Sequence, residues 1–326
     1  MLKYPSKLNF RIDILSDELN THREKVIQRA IKDVQVRGFR KGKAPRHLSE
    51  KLLDPERIFS QALNSIIPLK LEEKLLEEKQ QSSRTHLILV ADPDLELVSD
   101  TSSTDIISVS ATVFLYPEVD TSDIASLKFT KPVIKDVTSE DLDSFITNLK
   151  ANYSKTKPDS TEAELSEQVL AEAFGLKDKA ELLQRAREEL EASNKYAHEH
   201  EFEEAITQAI IKHYQDKVDI PDVMVQREVT RIRENIDQQL NRIGATFDQY
   251  LESRNKSRGE VENDILNEAR NNVLLMVVLT ELVRHWDIQL DDSQEQQILS
   301  EQQQDQDTLR LMLKQRKVLD RLKLQV

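Results

Sequence analysis

The segment Leu8–Pro45, "LNFRIDILSDELNTHREKVIQRAIKDVQVRGFRKGKAP", changes character twice. Its first eight residues alternate. Leu8, Phe10, Ile12 and Ile14 share one face, and Asn9, Arg11 and Asp13 the other, which predicts a half-buried strand. From Ser16 the period changes. Ser16 is a candidate N-cap with Asp17 and Glu18 in the first turn, where carboxylates suit the helix dipole. Leu19, Val26, Ile27, Ala30, Ile31 and Val34 then keep helical spacing up to Arg37-Gly38. The last ten residues, Val36–Pro45, contain two of the chain's five glycines and several cations.

Working outward, "RHLSEKLL" after Pro45 predicts a short helix. A stronger one starts at Asp54, as cap, with Pro55 at its first position and Glu56 after it. Pro68 falls inside this pattern and is expected to kink it. Two strands follow, near Thr85–Ala91 and over Asp105–Pro117, with "DPDLELVSDTSSTD" between them read as loop. Residues 1–117 therefore predict a β-α-α-β-β order, a small α+β domain with helices on one face of an antiparallel sheet.

Residues 118–326 predict an all-α domain. An extended connector leads to a helix capped by Thr138 or Ser139, the connector segment spanning 118–150. A polar linker with Pro158 follows, over about 151–164. Helical body and arms fill 165–326. One helix starting near Lys179 runs for about 40 residues, or roughly 60 Å at 1.5 Å per residue. Another is punctuated by Pro221 and Gly244.

Composition restricts the function classes. Five glycines and 5% aromatics, against 32% charged residues, favour long helices over a dense enzyme core. There is no cysteine, so disulfides, thiolate metal sites and Cys nucleophiles are excluded. "MLKYPSKLNFRIDIL" lacks a signal-peptide pattern. The longest apolar run, Val273–Leu279, is too short for a bilayer, which needs roughly 20 residues. A cytoplasmic protein without membrane contact is expected. The seven histidines form no metal motif. His198 and His200 point apart on a helix and read as a solvated face. No Gly-rich phosphate loop or nucleophile elbow occurs, so no catalytic residue, metal or cofactor is expected. Charge is uneven. Residues 1–79 carry 17 Lys+Arg against 12 Asp+Glu, and the remainder 29 against 47, so a basic end sits on an acidic body.

The loop is the one concentrated signal. Arg37, Arg40, Lys41, Lys43 and Arg46 surround Gly38 and Gly42, which permit positive φ, and Pro45, which disfavours helix at Ala44. Such a tip attracts a phosphate backbone or an acidic protein patch. Phe39 serves either as an exposed apolar anchor or as a filler of the local core; spacing does not separate the two. The long helices read either as an armed shape with apolar partner surfaces or as a plain closed bundle.

"GFRKGKAP", Gly38–Pro45, resembles the ribosome-docking signature of the trigger factor family. The resemblance continues through "VFLYPEVD" and "LKFTKPVIKDVTSEDLDSFITNLK", then "AEAFGLKDKAELLQRAREELE" and "IPDVMVQREV". It implies a ribosome-associated, ATP-independent chaperone that shields nascent chains on an apolar helical cradle. Gly38, Phe39, Arg40, Lys41, Gly42, Lys43 and Pro45 would form the docking loop, with Arg37 and Arg46 as additional basic contacts. Implied partners are the large ribosomal subunit near the exit tunnel, both protein and rRNA, and unfolded nascent polypeptides. A homodimer off the ribosome is left open. The family also carries a cell-division association. The interval from about Tyr153 to Phe174 has no room for the family's FKBP-like prolyl isomerase domain, so no isomerase activity is expected. The rival reading is an RNA-binding adaptor that uses the same basic loop without client binding.

Overall fold

The computed structural model describes residues 4–82, 84, 87–98, 106–156, 166–300 and 305–324. Strand β1, Lys7–Leu15, leads into α1, Ser16–Ala30; α2 spans Arg46–Glu50, and α3 spans Pro55–Gln81. Strands β2, Asp94–Val98, and β3, Ile106–Phe114, complete an antiparallel sheet of order β1-β3-β2. The α+β expectation for this region stands.

The register explains the core. Ile12 faces Val109 and Phe10 faces Ala111 across the β1–β3 pair. The same face carries Ile14 and Val113, and all of these except half-buried Phe10 are sealed from solvent. Leu19 from α1 and Ala62, Leu63, Ile66, Ile67 and Leu71 from α3 close over them. Each buried aliphatic side chain of this size contributes about 1.5–3 kcal/mol.

Several local readings change. The α1 N-cap is Leu15, and Ser16 is the first helical residue; the Glu18 carboxylate reaches back to the Leu15 N–H. The helix ends at Ala30, short of Arg37, because the chain leaves it to build the loop. Asp54 does cap α3, accepting from the Glu56 N–H, and the helix runs on through Pro68. The strand expected at Thr85–Ala91 is reduced to a single bridge, Leu89 with Leu115; Thr85 and His86 lie outside the described residues. The second strand lies instead at Asp94–Val98, inside the stretch read as loop.

The remainder of the described chain is helical after a 3-10 turn at Ile124–Ser126: α4 Ser139–Thr156, α5 Glu167–Ala173, α6 Lys179–Tyr214, α7 Asp222–Ile243, α8 Phe247–Arg254, α9 Arg258–His285, α10 Asp292–Ser300 and α11 Gln306–Lys323. Thr138 caps α4: its hydroxyl accepts from the Asp141 N–H at 3.2 Å, and Asp141 accepts from the Thr138 N–H at 2.9 Å. Gly244 ends α7 with φ +67°. The linker expectation for 157–164 lies outside the described residues, while 151–156 belong to α4.

The chain forms two compact units. One comprises the residues up to Asp120 with Tyr214–Glu281; the other comprises Thr121–His213 with Leu282 onward. In the first, Val225, Val229 and Ile232 of α7 pack on Val261, Ile265 and Ala269 of α9, with Phe247, Tyr250 and Leu251 of α8 at the margin. In the second, Leu142 and Ile146 of α4, Leu170 and Ala171 of α5, and Leu182 and Ala186 of α6 make a separate core. The connector lies along α6. Asn194 donates to the Lys135 carbonyl at 2.9 Å, and the His198 Nε2 lies 2.9 Å from the Pro132 carbonyl. His198 is therefore buried under the connector and not on a solvated face; His200 is exposed.

Candidate functional site

The Val36–Pro45 loop is built from two successive tight turns. The Phe39 N–H donates to the Val36 carbonyl at 3.0 Å, and the Lys43 N–H donates to the Arg40 carbonyl at 2.9 Å. Each four-residue turn places a glycine third: Gly38 with φ +88° and Gly42 with φ +70°. That position requires positive φ in a type II turn, which only glycine adopts cheaply. The four-residue spacing of the glycines is thus one turn repeated.

The surroundings of the two glycines differ. A Cβ at Gly38 would meet nothing within 4 Å, whereas one at Gly42 would sit 2.7 Å from the Lys32 carbonyl oxygen. The Gly42 N–H also donates to the Val34 carbonyl at 3.4 Å, tying the loop back to the segment that follows α1. Gln35 adds a brace invisible to sequence reasoning: its side-chain amide donates to the Phe39 carbonyl at 2.7 Å. No periodicity or motif marks Gln35 for this role.

These turns display Arg37, Gly38, Phe39, Arg40, Lys41, Gly42 and Lys43, all exposed. Phe39 is 40% exposed and stands outside the sheet–helix core, which decides against the core-filler reading. Among the described residues no carboxylate pairs with Arg37, Arg40 or Lys43. Lys41 lies 2.9 Å from Asp33, an exposed pair that water screens.

Arg46 behaves differently from the other cations. Its guanidinium donates to both Glu24 oxygens at 2.6 Å and also pairs with Glu50. Those bonds hold the Arg46 pKa above its ordinary value, Glu24 contributing most, and hold Glu24 below the usual carboxylate range. Arg46 clamps α2 onto α1 at the loop exit, and its charge is already satisfied. Among the described residues no group of three or more His, Cys, Asp or Glu is arranged to hold a metal ion, and no helix is long and apolar enough to cross a membrane.

Two family profiles match the chain. Residues 2–149 match the family described as "Bacterial trigger factor protein (TF)", and residues 180–326 match "Bacterial trigger factor protein (TF) C-terminus". The chain belongs to the trigger factor family. Only residues 150–179 separate the matched segments, and the chain lacks the family's middle domain. It is similar to trigger factor of Lactococcus lactis subsp. cremoris strain MG1363, 26% identical over 53% of this chain and 38% of the relative. It is also similar to trigger factor of Shouchella clausii strain KSM-K16, 31% identical over 44% of this chain. The chain spans about a third of the length of these curated relatives, 38% and 31% respectively. A solved trigger factor chaperone, described for promiscuous substrate recognition in folding and assembly, shares the fold. Its TM-score is 0.55 at 16% identity, covering 97% of this chain and 96% of that one.

Proposed function

We propose that this chain is an ATP-independent chaperone that docks on the large ribosomal subunit, beside the exit tunnel, through the Gly38–Pro45 loop. Family membership supports a chaperone role. The observation that carries the docking reading is the glycine-pinned double turn, which holds an exposed Phe39 beside Arg37, Arg40 and Lys43, cations with no carboxylate partner among the described residues. Cations on a constrained tip engage rRNA phosphates and acidic protein side chains. An apolar anchor adds contact area and is a common energetic focus of an interface. Unfolded nascent polypeptides are the proposed clients, held on apolar helical surfaces, and the working compartment is the cytoplasm. Prolyl isomerisation is not part of this reading, because the interval between the two family segments is too short for an isomerase domain.

Replacing Phe39, Arg40 and Lys41 together by alanine should abolish co-sedimentation with ribosomes and leave far-UV circular dichroism unchanged. Retained co-sedimentation would refute the docking loop. Binding to free RNA without suppression of aggregation would favour the adaptor reading instead. The same preparation should give no turnover on a proline peptide.

A further inference from the structure

Strand β2 forms one edge of the sheet. Leu95 pairs opposite Ala111, and Leu97 opposite Val109. Paired residues project to the same face, so both leucines share the face of the fully buried Val109 and Ala111. Yet Leu95 is 43% and Leu97 62% exposed. The helix layer seals β1 and β3 and stops short of β2. A groove of about 500 Å³ remains there, lined by Ile67, Pro68, Leu71 and Leu75 of α3 with Leu89 and Leu95.

The outer row of β2 backbone groups has no partner strand among the described residues. An open edge beside an apolar groove is the geometry of strand addition, in which backbone bonds give affinity and side-chain pockets give selectivity. Charge selects the occupant. Asp94 and Glu96 project from the opposite face, level with Thr112 and Ser110, and Asp92 and Glu72 rim the groove. A second copy pairing through its own β2 would set these carboxylates against one another, and like charges directly opposite are destabilising. A strand carrying cations at those positions meets complementary charge.

We propose that the β2 edge binds extended peptides in which apolar residues alternate with Lys or Arg. The peptide adds a fourth strand. Its apolar side chains cover Leu95 and Leu97 and enter the groove, and its cations face Asp94 and Glu96. This surface is distinct from the docking loop and does not depend on ribosome binding.

The test is fluorescence anisotropy with a labelled octapeptide of alternating Lys and Val. Two controls are a block-ordered peptide of the same composition and a version N-methylated at alternate residues. The alternating peptide should bind at least tenfold more tightly than either control. Leu97→Lys, at an exposed position that leaves the core intact, should weaken it at least tenfold. Glu96→Lys should do the same and should gain binding of an alternating Glu–Val octapeptide. The Phe39, Arg40 and Lys41 triple alanine variant should bind the peptide as wild type does, which separates this surface from the docking loop. Equal binding of the block-ordered peptide would reduce the effect to attraction by an acidic chain and overturn the proposal. So would a wild-type dimer, seen by sedimentation velocity, that Leu97→Lys dissolves, since the occupant would then be a second copy.

Discussion

Gly38 and Gly42 have the same backbone requirement and different tolerance. Both occupy the left-handed region, where a Cβ costs about 1–2 kcal/mol. Only Gly42 adds a steric limit, the Lys32 carbonyl oxygen 2.7 Å from where a Cβ would stand. Gly38→Ala should therefore weaken ribosome binding a few-fold, while Gly42→Ala, which forces the backbone to shift, should weaken it at least tenfold. Global melting should move by only a few degrees in either variant, because the loop contributes nothing to the buried cores. Equal losses in a co-sedimentation titration would show that loop geometry is not what presents Phe39. The glycines, the proline and the cations were legible in the sequence because each residue type has a local conformational or electrostatic meaning. The Gln35 brace and the commitment of Arg46 to Glu24 were not. Both depend on where side chains meet across the loop, 4 and 22 positions apart, with no recurring spacing to read.

At the scale of elements, strong periodicity was readable and edges were not. The nine-residue strands β1 and β3, the long helix α6 and the Pro221–Gly244 punctuation of α7 all lie near where pattern and caps put them. Strand β2 was misread although Asp94, Leu95, Glu96 and Leu97 do alternate, because so short a run between Pro93 and the polar sequence "SDTSSTD" reads as loop. Ion pairs between elements were equally invisible, and one has a measurable consequence. Glu203 of α6 accepts from Arg316 at 2.7 Å and from Lys323 at 2.5 Å, joining α6 to α11. Burial alone would raise its pKa, but the two cations outweigh burial and hold it below the ordinary 4.5. A carboxylate with a lowered folded pKa adds stability above its unfolded value and loses it as the pH falls through the folded one. Glu203→Gln should cost about 1 kcal/mol at pH 7, the size of a partly screened charge-assisted bond. The gap between variant and wild type should narrow below about pH 4.5, approaching zero in stronger acid. Thermal melting followed from pH 7 to pH 3 reads it directly, and a gap constant across that range would exclude the ion pair as its source.

For the whole molecule the governing quantity is the sign of its charge. The chain carries a net −13, yet its first 79 residues hold 17 cations against 12 anions. In the proposed docking, an acidic body is repelled by rRNA, so the attraction comes from a few basic side chains, and their number fixes the salt dependence. Each neutralised phosphate releases counterions and contributes about −0.7 to −0.9 to the slope of log K against log salt. Arg37, Arg40 and Lys43 have no carboxylate partner among the described residues, and Lys41 is held only by exposed Asp33. Three to four phosphate contacts give an expected slope of about −2 to −4 for ribosome binding. Arg40→Ala should lower its magnitude by about 1. Arg46→Ala should leave the slope nearly unchanged, because that guanidinium already answers Glu24 and Glu50; any loss of affinity would come from a loosened α1–α2 clamp. A wild-type slope steeper than about −6 would mean that cations outside the loop carry the docking. A slope near zero would leave Phe39 and neutral contacts as its basis.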